Sequence, residues 1–180
     1  MAIENTHAKR LRGSIAAFAG GTVADEVISA RPLPKAPSVK QRAEWAEAVC
    51  AELGSRFGEG GAKAIREGCA CGPSIGKLEK ARAACRGGGM EAIARHLDGQ
   101  AAHSYVDGGS LYISYPRCYC SFVNMLPAPA PKAWCHCSSG YVKRTLEYAL
   151  ERGFAVEVLE SVQWGDSRCL MKATPVEGGE

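Results

Sequence analysis

The sequence predicts an α+β fold in which N-terminal helices pack on a small antiparallel sheet, with a helix of about residues 138–151 between strands. Three observations carry this. Apolar residues recur at helical spacing through residues 38–100. Leu111, Ile113 and Tyr115 alternate instead with more polar positions, as do Phe154, Val156 and Val158, the period of a half-buried strand. Between those two runs, Val142, Leu146, Ala149 and Leu150 fall on one helical face.

Residues 1–37 read as an N-terminal extension. Leu11, Ile15 and Phe18 have helical spacing, and a second short helix covers Val23 to Ile28. The segment 30–38 holds three prolines and reads as a linker. Ser38 with Gln41 forms a capping box for a helix bearing Ala46, Val49, Cys50, Leu53 and Phe57 on one face. Gly54 to Gly61 should break that helix, and a short one follows from Ala62 to Glu67. The run GCACGPS predicts a tight turn presenting Cys69 and Cys71. Ile75, Leu78 and Cys85 mark a further helix, and Met90, Ile93 and Leu97 another.

The turn Asp107-Gly108-Gly109 leads into the strand at Leu111, and Cys118 to Val123 reads as extended. The connector 126–132 holds three prolines and cannot be helical inside. Ser138 or Ser139 can cap the next helix and Gly153 end it. Strand Phe154–Val158, a turn at Gly165-Asp166 and a return strand from Cys169 to Ala173 complete the pattern, and the tail from Thr174 reads as disordered. The helical part, 38–100, and a Cys-rich α/β part, 101–174, are expected to form one globular unit.

The 180 residues carry a net charge of +3 with the charges interspersed, which argues against a nucleic-acid surface. No apolar run reaches the length of a membrane span, and none reads as a secretory signal. Nine cysteines are an odd number, too sparse for a disulfide scaffold in a chain this long. They point to a reducing cytoplasm, where close cysteines more often mean metal or redox chemistry.

Five of the nine fall between residues 118 and 169: Cys118, Cys120, Cys135, Cys137 and Cys169. In an extended segment, residues i and i+2 share a face, so each Cys-x-Cys pair can present two thiolates to one point. Four such sulfurs suit zinc or, alternatively, an iron–sulfur cluster. The alternative is a set of buried, inert thiols. Cys69 and Cys71, with Cys85 nearby, are a second candidate thiol site, against which stands a plain helix-ending turn with buried sulfur. Of His7, His96, His103 and His136, only His136 lies between clustered cysteines, and alternation points it away from them. A Cys137–His103 dyad is a further candidate, and Glu157 and Glu160 could orient a site. No GxSxG, P-loop, GxGxxG or HExxH motif is present. Tyr112, Tyr115, Tyr141, Phe154 and Trp164 are candidates for an aromatic ligand pocket, or for an ordinary core.

Cys135, Gly140, Tyr141, Gly153, Glu157, Gly165, Asp166, Cys169 and Leu170 together resemble the C-terminal half of the 4-vinyl reductase-type small-molecule-binding domain, also the sensor part of certain aromatic-responsive transcription activators. The resemblance covers roughly residues 110–173. The CYC pair, the CxCSxGY run and the CG turn look closer still to an uncharacterised Cys-rich bacterial family related to it. In the sensor domains three cysteines and a glutamate hold a structural zinc. Cys135 and Cys169 match two of those cysteines, and the third position falls on Ser161. The resemblance implies a cytoplasmic, cysteine-ligated metal-binding domain that holds a small organic ligand as sensor or carrier, with the early helices as a lid or homodimer face. The alternative is a hydrolase or thiol-redox enzyme using a metal or a thiolate on a small sulfur-containing or aromatic substrate.

Overall fold

The computed structural model describes residues 5–69, 71–98, 102–126 and 129–176. The expectations that fall on Ala70, Pro127, Ala128 and the last four residues lie outside them. The fold is α+β, mostly helical with one four-stranded antiparallel sheet. The chain divides into two compact units, each made of two segments: residues 1–71 with 119–137, and 72–118 with 138–180. These limits do not coincide with the sequence boundaries at residues 37 and 100.

The first unit begins with α1 (Thr6–Ala19), α2 (Gly21–Ser29) and α3 (Val39–Gly68). Asn5 caps α1 by accepting a hydrogen bond from the His7 amide at 2.9 Å. Its Nδ2 donates to the carbonyls of Pro34 and Lys35, at 2.9 and 3.2 Å, which ties the Pro-rich segment to the start of α1. The capping box at Ser38 and Gln41 forms as read. The expected break over residues 54–61 shrinks to one residue. Only Gly58 leaves the helix, at φ 67° and ψ 179°, a conformation open to glycine, so α3 kinks there and continues. Gly68 permits close packing of α1 on α3, since a Cβ there would stand 2.5 Å from Ser14 Oγ. In the second segment of this unit, residues 121–125 form a turn rather than the expected extended run. The amides of Val123 and Asn124 both donate to the Cys120 carbonyl, at 3.1 and 2.9 Å. A 3-10 turn, Lys132–Cys135, then leads into α6 (His136–Leu150). The helix therefore starts before Ser138, and its first two residues belong to this unit.

The second unit contains α4 (Ile75–Cys85), α5 (Gly89–Asp98), the rest of α6, and the sheet. The strands β1 (His103–Asp107), β2 (Ser110–Tyr115), β3 (Phe154–Glu160) and β4 (Cys169–Pro175) lie in the order β1-β2-β4-β3. α6 connects β2 to β3, as expected of the helix between strands. β4 extends through Pro175, beyond the predicted end of the return strand. β1 was not legible: HSYVD alternates only exposed and half-buried positions, so its period carries little apolar contrast. One face of the sheet packs Leu111, Ile113, Phe154 and Ala173 against Leu146 of α6 and Ile93 of α5, all at 0–1% exposure. Arg82 of α4 fixes the end of α6, donating to the Tyr148 carbonyl at 3.2 Å and pairing with Glu151 at 2.8 Å.

Candidate functional site

The first unit has a charged, sulfur-rich cavity of about 10 Å³, room for one water-sized occupant. It is lined by His7, Arg10, Arg66, Cys69, Cys71, Cys120, Trp134 and Cys137. The pairs that line it follow helical spacing. His7 and Arg10 sit three apart on α1, so they share a face, as do Arg66 and Cys69 at the end of α3. Cys120 begins the 121–125 turn, Trp134 lies in the 3-10 turn, and Cys137 is the second residue of α6.

Aromatic rings build one wall. Trp134 stacks on Phe122 with centroids 5.0 Å apart, Trp45 meets both rings edge-on, and His7 packs on Phe122 at 4.5 Å. Trp45 is fixed through its Nε1, which donates to the Arg31 carbonyl at 2.8 Å. Arg42 holds the 121–125 turn by donating to the Ser121 carbonyl at 2.9 Å.

Arg66 is the unusual residue. It is 2% exposed, its guanidinium lies 3.9 Å over the Trp134 ring, and Nη2 donates to the Trp134 carbonyl at 3.1 Å. Nη1 reaches Cys69 Sγ at 3.7 Å. Its Nε and the Trp134 Nε1 are buried with no hydrogen-bond partner, and among the described residues no carboxylate pairs with Arg66. Burial opposes its charge, but the sulfurs of Cys69, Cys137, Cys50 and Cys120 outweigh this and hold its pKa above the ordinary value. Cys69, Cys50 and Cys137 offer little ionised charge in return. Burial pushes Cys69 up and Cys50 up to about 11. Cys137 is pushed up by its hydrogen bond to Cys71 and by burial.

Cys71 goes the other way. Hydrogen bonds from Cys137 and His7, and the charges of His7 and Arg10, draw its thiol down to about 4 against the opposing effect of partial burial. Arg10 Nη1 donates to its sulfur at 3.3 Å. A sulfur lowered by His7 and Arg10 in this way has the setting of a reactive cysteine.

The predicted zinc or iron–sulfur centre is overturned. Among the described residues no group of three or more His, Cys, Asp or Glu is arranged to hold a metal ion. A Cys-x-Cys pair presents both sulfurs to one point only on extended backbone. Cys120 instead starts a turn, and Cys135 and Cys137 straddle a 3-10 to α junction, where residues two apart point to different sides. Cys118 and Cys169 belong to the second unit, Cys118 beyond the end of β2 and Cys169 opening β4. The structure does bring Cys120 and Cys137 together with the second candidate pair, Cys69 and Cys71, but two guanidiniums share that space. Sequence reasoning missed His7 as a site residue, and also Arg10, Arg66 and Trp134. The one local signal was Arg66 in an apolar helical run, three residues before Cys69.

The remaining candidates are dispersed. His103 is 75% exposed at the start of β1, 3.3 Å from Asp98. His136 opens α6, with its pKa lowered by burial and then by the charge of Lys63. Phe154 is core, Tyr115 packs at the edge of that core, and Tyr112 lies on the opposite sheet face, stacked on Tyr105 at 5.1 Å. Tyr141 is half-buried on α6, and Trp164 ends a 3-10 turn. Residues that suggested the 4-vinyl reductase resemblance serve that local turn. Ser161 Oγ caps it, Asp166 accepts from the Ser161 amide at 2.8 Å, and Gly165 adopts φ 98°.

A family model matches residues 2–178, nearly the whole chain. The chain belongs to DUF6144, a family of unknown function. This replaces the 4-vinyl reductase-type assignment. No curated protein matches the sequence. Among solved structures, the chain is similar to an H-NOX protein from S. oneidensis in the Fe(II) ligation state, a triple mutant, at 9% identity and TM-score 0.51, covering 99% of this chain and 98% of that one. It is also similar to an H-NOX protein from S. oneidensis in the Fe(II)NO ligation state, at 9% identity and TM-score 0.50, covering 97% and 100%. At this identity the likeness shows the fold alone. The phenol-responsive sensory domain of the transcription activator PoxR is more weakly similar, at 15% identity and TM-score 0.41 over 77% of this chain and 76% of that one. Among the described residues, no helix is long and apolar enough to cross a membrane.

Proposed function

We propose that the first unit is the receptor of a sensory domain for a small reactive molecule, and that the receiving group is the Cys71 thiolate. The observation that supports this is the convergence of Arg10, His7 and Cys137 on one sulfur beside a water-sized cavity. A thiolate so held is nucleophilic at neutral pH, while Cys69 and Cys137 are pushed up towards the inert thiol. The nine cysteines are all free, which suits a reducing compartment such as the cytoplasm.

The fold neighbours are H-NOX proteins, described in Fe(II) and Fe(II)NO states, so haem is the cofactor the fold suggests. The residues within each unit do not fit it. A macrocycle needs a slot of several hundred Å³, whereas the cavity in the first unit has about 10 Å³ and is lined by thiols and guanidiniums. In the second unit the space between α6 and the sheet is filled by Leu146, Phe154 and Ile113.

Limiting iodoacetamide at pH 6, followed by peptide mapping, tests the reading. Cys71 should carry nearly all the label. Label spread evenly over Cys71, Cys118 and Cys169 would remove Cys71 as the receptor.

A further inference from the structure

The reading of Cys71 as the reactive thiolate leaves two features of the cavity unused. Arg66 Nε and Trp134 Nε1 are buried donors without partners on residues that line it. Buried donors left unsatisfied are costly, and a buried guanidinium with no carboxylate is more so. Their chemistry matches a small guest on which negative charge develops. The second feature is Cys137, which lines the same small cavity as Cys71.

We propose that a small hydroperoxide reaches Cys71 at this cavity, that Cys71 reduces it, and that Cys137 then closes a Cys71–Cys137 disulfide. The thiolate attacks one peroxide oxygen, an S–O bond forms and the O–O bond breaks. Sulfur is oxidised by two electrons and the peroxide reduced by two. Cys71 becomes a sulfenic acid, and the other oxygen leaves as hydroxide, which solvent protonates to water. The Arg66 and Trp134 donors stabilise that leaving oxygen as its charge grows. Once Cys71 is uncharged, no neighbouring thiolate opposes ionisation of Cys137. The Cys137 sulfur attacks the Cys71 sulfur, an S–S bond forms, and the hydroxyl leaves with the Cys137 proton as water. The size of the cavity makes hydrogen peroxide the preferred class of oxidant over branched alkyl hydroperoxides.

The test treats the full reduced chain with hydrogen peroxide or tert-butyl hydroperoxide and maps disulfides by mass spectrometry. Hydrogen peroxide should give the Cys71–Cys137 bridge, with the bulky reagent slower by about tenfold or more. Cys137→Ser should instead leave a sulfenic acid on Cys71 that a dimedone probe traps. Trp134→Phe loses the donor and should slow the peroxide step about tenfold, with an unchanged far-ultraviolet circular dichroism spectrum as the check that the chain is folded. If Cys71 alkylates rapidly yet peroxide gives no bridge, or bridges Cys71 to another cysteine, or the two hydroperoxides react equally, the peroxide proposal fails and the thiolate reading stands. If Cys71 does not alkylate rapidly, the reading beneath both fails.

Discussion

The two units bury their interiors by opposite means. The second closes a dry apolar core, with Leu111, Ile113, Leu146 and Phe154 at 0–1% exposure and its sulfur, Cys85, pushed up by burial alone. The first places a permanent cation, Arg66, among four thiols and keeps a small void beside them. The same residue type thus behaves differently in the two places. A cysteine in an apolar core is a small hydrophobe, whereas a cysteine facing Arg10, His7 and a donor thiol is a thiolate. The difference lies in neighbours brought from distant parts of the sequence.

Core substitutions should break the comparison most strongly. Leu146→Ala should cost about 3 kcal/mol of unfolding free energy by chemical denaturation, the usual cost of a large-to-small change. The folded variant should keep the wild-type alkylation rate at Cys71. A tenfold loss of reactivity would show that the site depends on that core. Next in size is Arg10→Ala. Arg10 is exposed, so stability should change by less than about 1 kcal/mol. Removing its charge and hydrogen bond should nevertheless raise the Cys71 pKa and lower the alkylation rate at pH 5 by about twofold.

The two units should also differ in how pH acts on stability. Cys71 binds no proton in the folded chain above about pH 4 but does so in the unfolded chain up to the ordinary thiol value of 9.0. Its contribution is full above pH 9 and is lost as pH falls towards 4, so stability should rise with pH across that window. Cys137, shifted upward, contributes below the unfolded thiol value and loses its share as pH rises above it. Denaturation midpoints from pH 5 to 8 should therefore slope upward in wild type and flatten in Cys71→Ser. The smallest expected effect is with hemin, which should give no saturable change in its absorption band when titrated with the protein. Stoichiometric binding would reinstate the cofactor of the fold neighbours.

Much of the fold was readable because it rests on local periodicity. The stripe on α3, the capping box at Ser38, the alternation in β2 and β3 and the face of α6 are patterns within one segment. β1 escaped because an edge strand with half-buried residues lacks that contrast. The site was only partly readable. GCACGPS marked Cys69 and Cys71 as a presented pair, but nothing local joins His7 and Arg10 on α1 to Cys71, or Trp134 to Arg66. The doubled Cys-x-Cys misled because its metal reading required extended backbone, and the chain turns at Cys120 and coils at Cys135.

The most direct measurement is the thiolate titration of Cys71, read as the difference in ultraviolet thiolate absorbance between wild type and Cys71→Ser. The account predicts a midpoint close to 4, with the thiolate fully formed at pH 6. A midpoint near the ordinary thiol value would mean that Arg10, His7 and Cys137 do not hold that charge, and the first unit would have no receptor.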